Sequence, residues 1–152
     1  MTIRVQYADF SCADEYASLR ARLAGRMGAV ASFVGLVRDQ SDDDQVKSLY
    51  LEHYPGMTER SLGDIVAEAE RRWRLLDVVV IHRVGELGAS EQIVFVQVAA
   101  GHRGEAFAAC EFIMDYLKTR AVFWKREQSP SGSRWIEATG SDHQRISDWE
   151  NS

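Results

Sequence analysis

Apolar residues recur along this chain with two different periods, and the switches between them mark out its elements. Residues 2–7 alternate as a strand does, and 14–23 read as a first helix with Ser11 placed to cap it. Residues 28–37 are apolar and branched, which predicts a buried strand ending at Arg38-Asp39. The polar run 40–45, with Asp42, Asp43 and Asp44, predicts a solvated, mobile loop. Residues 47–53 alternate again, Leu49 and Leu51 opposing Tyr50 and Glu52. Pro55-Gly56 opens a helix on which Leu62, Ile65, Val66, Ala69 and Trp73 repeat every 3.6 residues, with Arg60, Asp64, Glu68 and Arg71 outward. Two strong strands follow, 77–84 and 92–99, joined around Gly85-Glu-Leu-Gly88. The stretch 105–120 predicts a second amphipathic helix with Phe107, Cys110, Ile113, Met114 and Leu117 inward. Residues 122–127 return as a strand, 129–133 turn, and 134–138 form a last strand.

Strands in adjacent runs with helices between them predict an α+β fold: a largely antiparallel or mixed sheet with helices packed on one side. At 152 residues the chain suits a single domain, assigned to 1–140, followed by a polar tail over 141–152 in which Ile146 and Trp149 are the possible anchors. A net charge of -5 argues against a general nucleic-acid binder and leaves room for a local cationic pocket. Cys12 and Cys110 lie far apart with no metal-ligand spacing, so a reducing cytoplasmic setting is expected, with no metal and no cofactor. Cys110 falls on an apolar helix face and reads as a buried structural thiol. The start alternates like a strand rather than a signal peptide, and the longest apolar run is too short to span a bilayer.

Within this frame, Lys118 and Lys125 stand out because Phe112, Met114, Tyr116, Leu117, Phe123 and Trp124 surround them in sequence. Such a setting desolvates an ammonium and suits it to act as acid, base or anion clamp; alternatively, the stems snorkel over apolar surface with their heads in water. Gly101-His-Arg-Gly104 sits where a strand gives way to a helix, so His102 and Arg103 either hold an anion at the helix start or simply cap and solvate it. Arg38 ends a strand beside the acidic loop, as a binding residue or as the partner of Asp39 or Asp42. His82-Arg83 read as one packed and one outward side chain, and 53–57 as the fixed start of a helix. No phosphate-binding glycine motif, nucleophile elbow or metal-binding His-Glu-x-x-His is present. What remains is a cationic set without a protein nucleophile, which fits a phosphorylated substrate whose attacking group comes from elsewhere.

The ordered blocks Gly35-Leu-Val-Arg38, Leu51-Glu-His-Tyr-Pro-Gly-Met57, Val80-Ile-His-Arg-Val-Gly-Glu86, Gly101-His-Arg103, 112–120, 123–127 and Arg134-Trp-Ile-Glu-Ala138 carry a resemblance. Over about residues 28–138 the chain resembles the large, catalytic subunit of molybdopterin synthase. The resemblance implies a cytoplasmic sulfurtransferase that converts cyclic pyranopterin monophosphate into the molybdopterin dithiolene. The sulfur would arrive as a thiocarboxylate on the C-terminal Gly-Gly of a small ubiquitin-like partner, in a heterotetramer built on a homodimer of the large subunit. Neither cysteine need then react.

Position by position, Lys118 and Lys125 match the family's catalytic lysines, and Arg38, His102 and Arg103 its substrate and phosphate contacts. Leu36, Val37, Arg126 and Glu127 fall in segments that match the pocket walls. Leu36 replaces a common Lys, Gly101 replaces a small side chain, and Thr139 stands where relatives can carry Arg, which bears on the pocket rim. The rival reading is a non-catalytic dimeric sensor of a phosphorylated metabolite, using the same cations.

Overall fold

Strand pairing sorts the branched segments into two sheets rather than one. The computed structural model describes residues 1–41, 44–45, 48–129, 132–136 and 138–152. In order, the chain forms β1 (Thr2–Gln6), α1 (Cys12–Arg22), β2 (Ala29–Leu36), β3 (Gln40–Ser41), β4 (Asp44–Gln45), β5 (Ser48–His53) and α2 (Met57–Arg72). It continues through β6 (Leu75–Arg83), β7 (Gly85–Gly88), β8 (Gln92–Ala100), α3 (Arg103–Arg120), β9 (Phe123–Ser129), β10 (Gly132–Ile136) and α4 (Gly140–Glu150). The first sheet has the order β1-β6-β8-β2, parallel between β1 and β6 and antiparallel elsewhere. The second, β10-β9-β5-β7, is antiparallel throughout. The α+β class with mixed strand directions therefore holds.

β6 and β8 read as continuous apolar runs because both their faces are covered. Val78, Val80, Val94, Val96 and Val98 pack against α2 and α3, while Ala99 on the opposite face meets Leu19 of α1 and Leu23 at its C-cap. Helices thus flank both faces of this sheet, and the expectation of one side holds for α2 and α3 alone. The 85–88 link is itself a strand, hydrogen-bonded to β5, so it carries the chain from the first sheet to the second. Gly85 makes that step at φ +92, where a Cβ would lie 2.9 Å from the Tyr7 ring.

β2, expected to be buried, is an edge strand: among the described residues its one paired neighbour is β8, and Phe33 and Leu36 are exposed at 41% and 52%. α3 departs from the amphipathic prediction because the sheet lies beneath it while α2 and α4 cover the rest. From Phe112 to Leu117 every residue is buried, Asp115 included. Ala106, Ala109 and Cys110 take the inward positions of its first turns, which leaves Phe107 66% exposed. Within the acidic run 40–45, β3 and β4 pair as a short hairpin; Asp42 and Asp43 lie outside the described residues, as do Lys47, Pro130, Ser131 and Glu137.

The polar tail is the helix α4. Thr139 caps it, accepting from the Asp142 N–H at 3.1 Å while its own N–H donates to Asp142 Oδ2 at 3.0 Å. Both proposed anchors are used. Ile146 is buried, and Trp149 sets its ring edge-on to Trp73 and Phe112 and donates from Nε1 to Asp115 Oδ2 at 2.7 Å. Arg145 Nε donates to the other Asp115 oxygen at 2.6 Å, which satisfies a carboxylate that burial would otherwise penalise.

Candidate functional site

Where α3 hands over to β9, the backbone is clamped from α2. Thr58, fully buried, donates from Oγ1 to the Val122 carbonyl at 2.6 Å and accepts from the Tyr54 N–H at 2.9 Å. The Val122 N–H donates in turn to Ser61 Oγ at 3.2 Å. Gly56 starts α2 at φ +87, a left-handed conformation that suits glycine, so segment 53–57 has the structural role expected of it. The clamp fixes the end of α3, which carries Lys118, relative to β9, which carries Lys125. Register does the rest: Lys125 sits opposite Leu51 on the strand face it shares with Phe123.

That face looks onto the end of β6, where the Phe123 ring stacks on His82 with centroids 3.9 Å apart. Between the sheets lies a cavity of about 720 Å³, a size that suits a small heterocyclic ligand. Its wall includes Arg38, His82, Lys118, Lys125 and Glu127, with Leu36 and Val37 beside them. A smaller hollow of about 330 Å³ shares Leu36, Arg38, His82 and both lysines and extends to Phe33 on the edge strand. Val37 accepts from the Ser90 N–H and donates to the Glu91 carbonyl, which holds Arg38 at the rim.

Of the residues singled out in the sequence, the structure thus brings together Leu36, Val37, Arg38, Lys118, Lys125 and Glu127. Arg126 is turned to the other face of β9, its guanidinium over the Tyr50 and Trp135 rings at 5.2 and 5.6 Å, and does not line the cavity. His102 and Arg103 stand exposed at the opposite end of the 18-residue α3 and do not line it either.

The two lysines differ in setting. Lys118 is exposed. Lys125 is largely enclosed, and burial, helped by the neighbouring Lys118 charge, brings its pKa from 10.5 to about 8, with Asp142 opposing. The two side chains share the cavity wall, so the Lys118 charge acts directly on the enclosed Lys125. His82, one of the most deeply buried polar side chains, is held neutral, with a pKa near 3, by burial first and by both lysines and His53 after that.

Several wall residues were not legible in the sequence. Asp142 and His143 come from the helix that had read as a tail, and the pair His82-Arg83 had read as ordinary strand packing. A histidine inside an otherwise branched run was the one available signal. His82 and Arg83, expected as one packed and one outward side chain, are both buried, and Arg83 donates to the Tyr7 carbonyl at 3.0 Å and to that of Gln92 at 3.1 Å. The residue just after β1 and the first residue of β8 supply those carbonyls, and sequence spacing shows neither. Cys110 is buried as expected, its thiol pushed up to about 11 by burial, and neither cysteine lines the cavity. Among the described residues no His, Cys, Asp or Glu cluster could hold a metal ion, and no helix is long and apolar enough to cross a membrane.

The class of protein that the fold and the site define is a two-sheet α+β domain with two lysines on the wall of a cavity of small-molecule size. Comparison narrows it: residues 5–120 match the family model described as MoaE protein, and the chain belongs to that family. A molybdopterin synthase catalytic subunit of Ralstonia nicotianae is 58% identical over 150 residues, 97% of this chain and 84% of the relative. The solved structure of a molybdopterin biosynthesis MoaE protein from Burkholderia ambifaria is 52% identical, with a TM-score of 0.84, covering 98% of this chain and 97% of that one. That of molybdopterin synthase from Staphylococcus aureus is 28% identical, with a TM-score of 0.79, covering 88% and 95%.

Proposed function

We propose that this chain is the catalytic subunit of a molybdopterin synthase. It transfers sulfur from the C-terminal Gly-Gly thiocarboxylate of a small ubiquitin-like partner to cyclic pyranopterin monophosphate. The observation that carries this reading is a cavity that gathers Arg38, Lys118 and Lys125, with no cysteine or serine among its described lining residues. The cations suit a phosphate, and the attacking sulfur must be brought in. The thiocarboxylate sulfur bonds to a pterin side-chain carbon as a C–O bond of that carbon breaks and its oxygen leaves with the electron pair. Water then cleaves the acyl–sulfur bond to release the partner's tail as a carboxylate and leave the sulfur on the pterin. A second loaded partner supplies the second sulfur.

An amine with a pKa of about 8 can exchange protons near neutral pH, which assigns proton transfer to Lys125 and charge stabilisation to the exposed Lys118. A metabolite sensor would have no use for an amine so tuned. The unpaired Cys12 and Cys110 suit a reducing compartment, and we place the activity in the cytoplasm.

His102 and Arg103 join this site from a second copy of the chain. Fifteen residues of helix separate Arg103 from Lys118, about 23 Å along the axis, too far for one pterin phosphate to touch both in one protomer. The exposed edge of β2, with Phe33 and Leu36 next to the smaller hollow, suits such a neighbour. The test combines purified chain, thiocarboxylated partner and cyclic pyranopterin monophosphate, and the expected result is a dithiolene product. Mixed dimers of Arg103→Ala and Lys118→Ala chains should regain one intact site and measurable activity. Inactive, properly folded mixed dimers would rule out the shared site.

A further inference from the structure

The chemistry above uses the cations of the cavity and leaves its most buried polar wall group unexplained. His82 Nδ1 lies 2.8 Å from the Arg83 carbonyl. A carbonyl only accepts, so Nδ1 carries the proton and Nε2 presents a bare lone pair. The Phe123 ring covers one face of the imidazole and sets its plane. With Nδ1 committed and the flat face stacked, the edge bearing Nε2 is what His82 offers to the cavity, and no described residue donates a hydrogen bond to it.

The surroundings keep it an acceptor. Enclosure and the charges of Lys125, Lys118 and His53 all oppose protonation, so the ring stays neutral through the physiological range. Beside Arg38, Lys118 and Lys125 on the same wall, a neutral acceptor discriminates in one direction. A phosphate oxygen finds no donor at His82 and is repelled by its lone pair, whereas an N–H or O–H group finds a matched partner there.

The geometry points to His82 as a specificity-determining residue that accepts a hydrogen bond from an N–H donor of the heterocycle. It thereby fixes the ring end of the ligand at the base of the cavity and leaves the phosphate end to the cations. The inference rests on the reading of the site as one for a pterin phosphate, and it names the group that orients that substrate.

Nitrogen-15 NMR of the histidine side chains in the intact protein tests it directly. The His82 signals should show the Nδ1–H tautomer. The Nε2 resonance should move on adding cyclic pyranopterin monophosphate and stay in place with inorganic phosphate alone. An Nε2–H tautomer, or an Nε2 resonance unmoved by bound substrate, would overturn the assignment. Two variants sharpen it. His82→Phe keeps the stack on Phe123 and removes the acceptor, so KM should rise about 10- to 100-fold with kcat nearly unchanged. His82→Gln restores an acceptor oxygen and should recover most of that loss. Equal KM values for wild type and a folded His82→Phe would also sink the idea. If wild-type protein fails to bind the pterin phosphate at all, it is the proposed function that falls.

Discussion

The two sides of the first sheet's covering helix behave differently. Toward α2 and α4, α3 presents Phe112, fully buried between Trp73, Trp149 and Tyr116, with the Asp115 carboxylate fully paired. One turn further on, the same helix ends at the cavity, where Lys118 is exposed and Lys125 is enclosed beside another cation. β6 repeats the contrast: Val78 and Val80 pack in the core, and His82 at its end lines the cavity. Well-satisfied elements supply the rigidity, and their last residues carry groups whose environment is costly.

The largest effect should come from breaking the packed side. Phe112→Ala removes a fully buried ring and should lower stability by about 3–5 kcal/mol, read as a fall in the urea midpoint. Lys118→Ala should do the reverse. It leaves the unfolding curve nearly unchanged, since the residue is exposed, and lowers product formation by about 10²–10⁴-fold. Near-normal turnover by the folded variant would remove Lys118 from the mechanism.

Lys125 sharpens the contrast, because its cost is a function of pH. With a folded pKa of about 8 against 10.5, the native state binds fewer protons than the unfolded chain between those values. Stability should therefore rise as pH climbs through that window. Lys125→Met should lose activity yet gain on the order of 1–3 kcal/mol at pH 7, and its stability should lack the alkaline rise. A methionine variant less stable than wild type at pH 7 would contradict the assignment of burial as the cause. Thr58→Val tests the joint between the two regions. It leaves the Tyr54 N–H and the Val122 carbonyl without their shared hydroxyl, so a loss of about 1–3 kcal/mol is expected, with a modest fall in turnover because the α3–β9 link loosens.

The sequence by itself determined the elements whose periodicity is local: the α1 cap at Ser11, the buried face of α2, and the strands β5, β6, β8 and β9. It also marked both lysines, because an ammonium among aromatic neighbours is visible without a fold. Tertiary structure alone decided the rest. Whether an apolar strand is central or edge depends on pairing, which is why β2 read as buried and proved an edge strand with Phe33 and Leu36 exposed. Whether a polar helix docks depends on distant partners: Asp115 and Phe112 make α4 part of the domain, and with it bring Thr139, Asp142 and His143 to the cavity. The imidazole of His82 is an acceptor only because β6 ends against Phe123 and a carbonyl takes its other nitrogen. Periodicity records what a residue needs buried; only the assembled chain fixes what it is buried against.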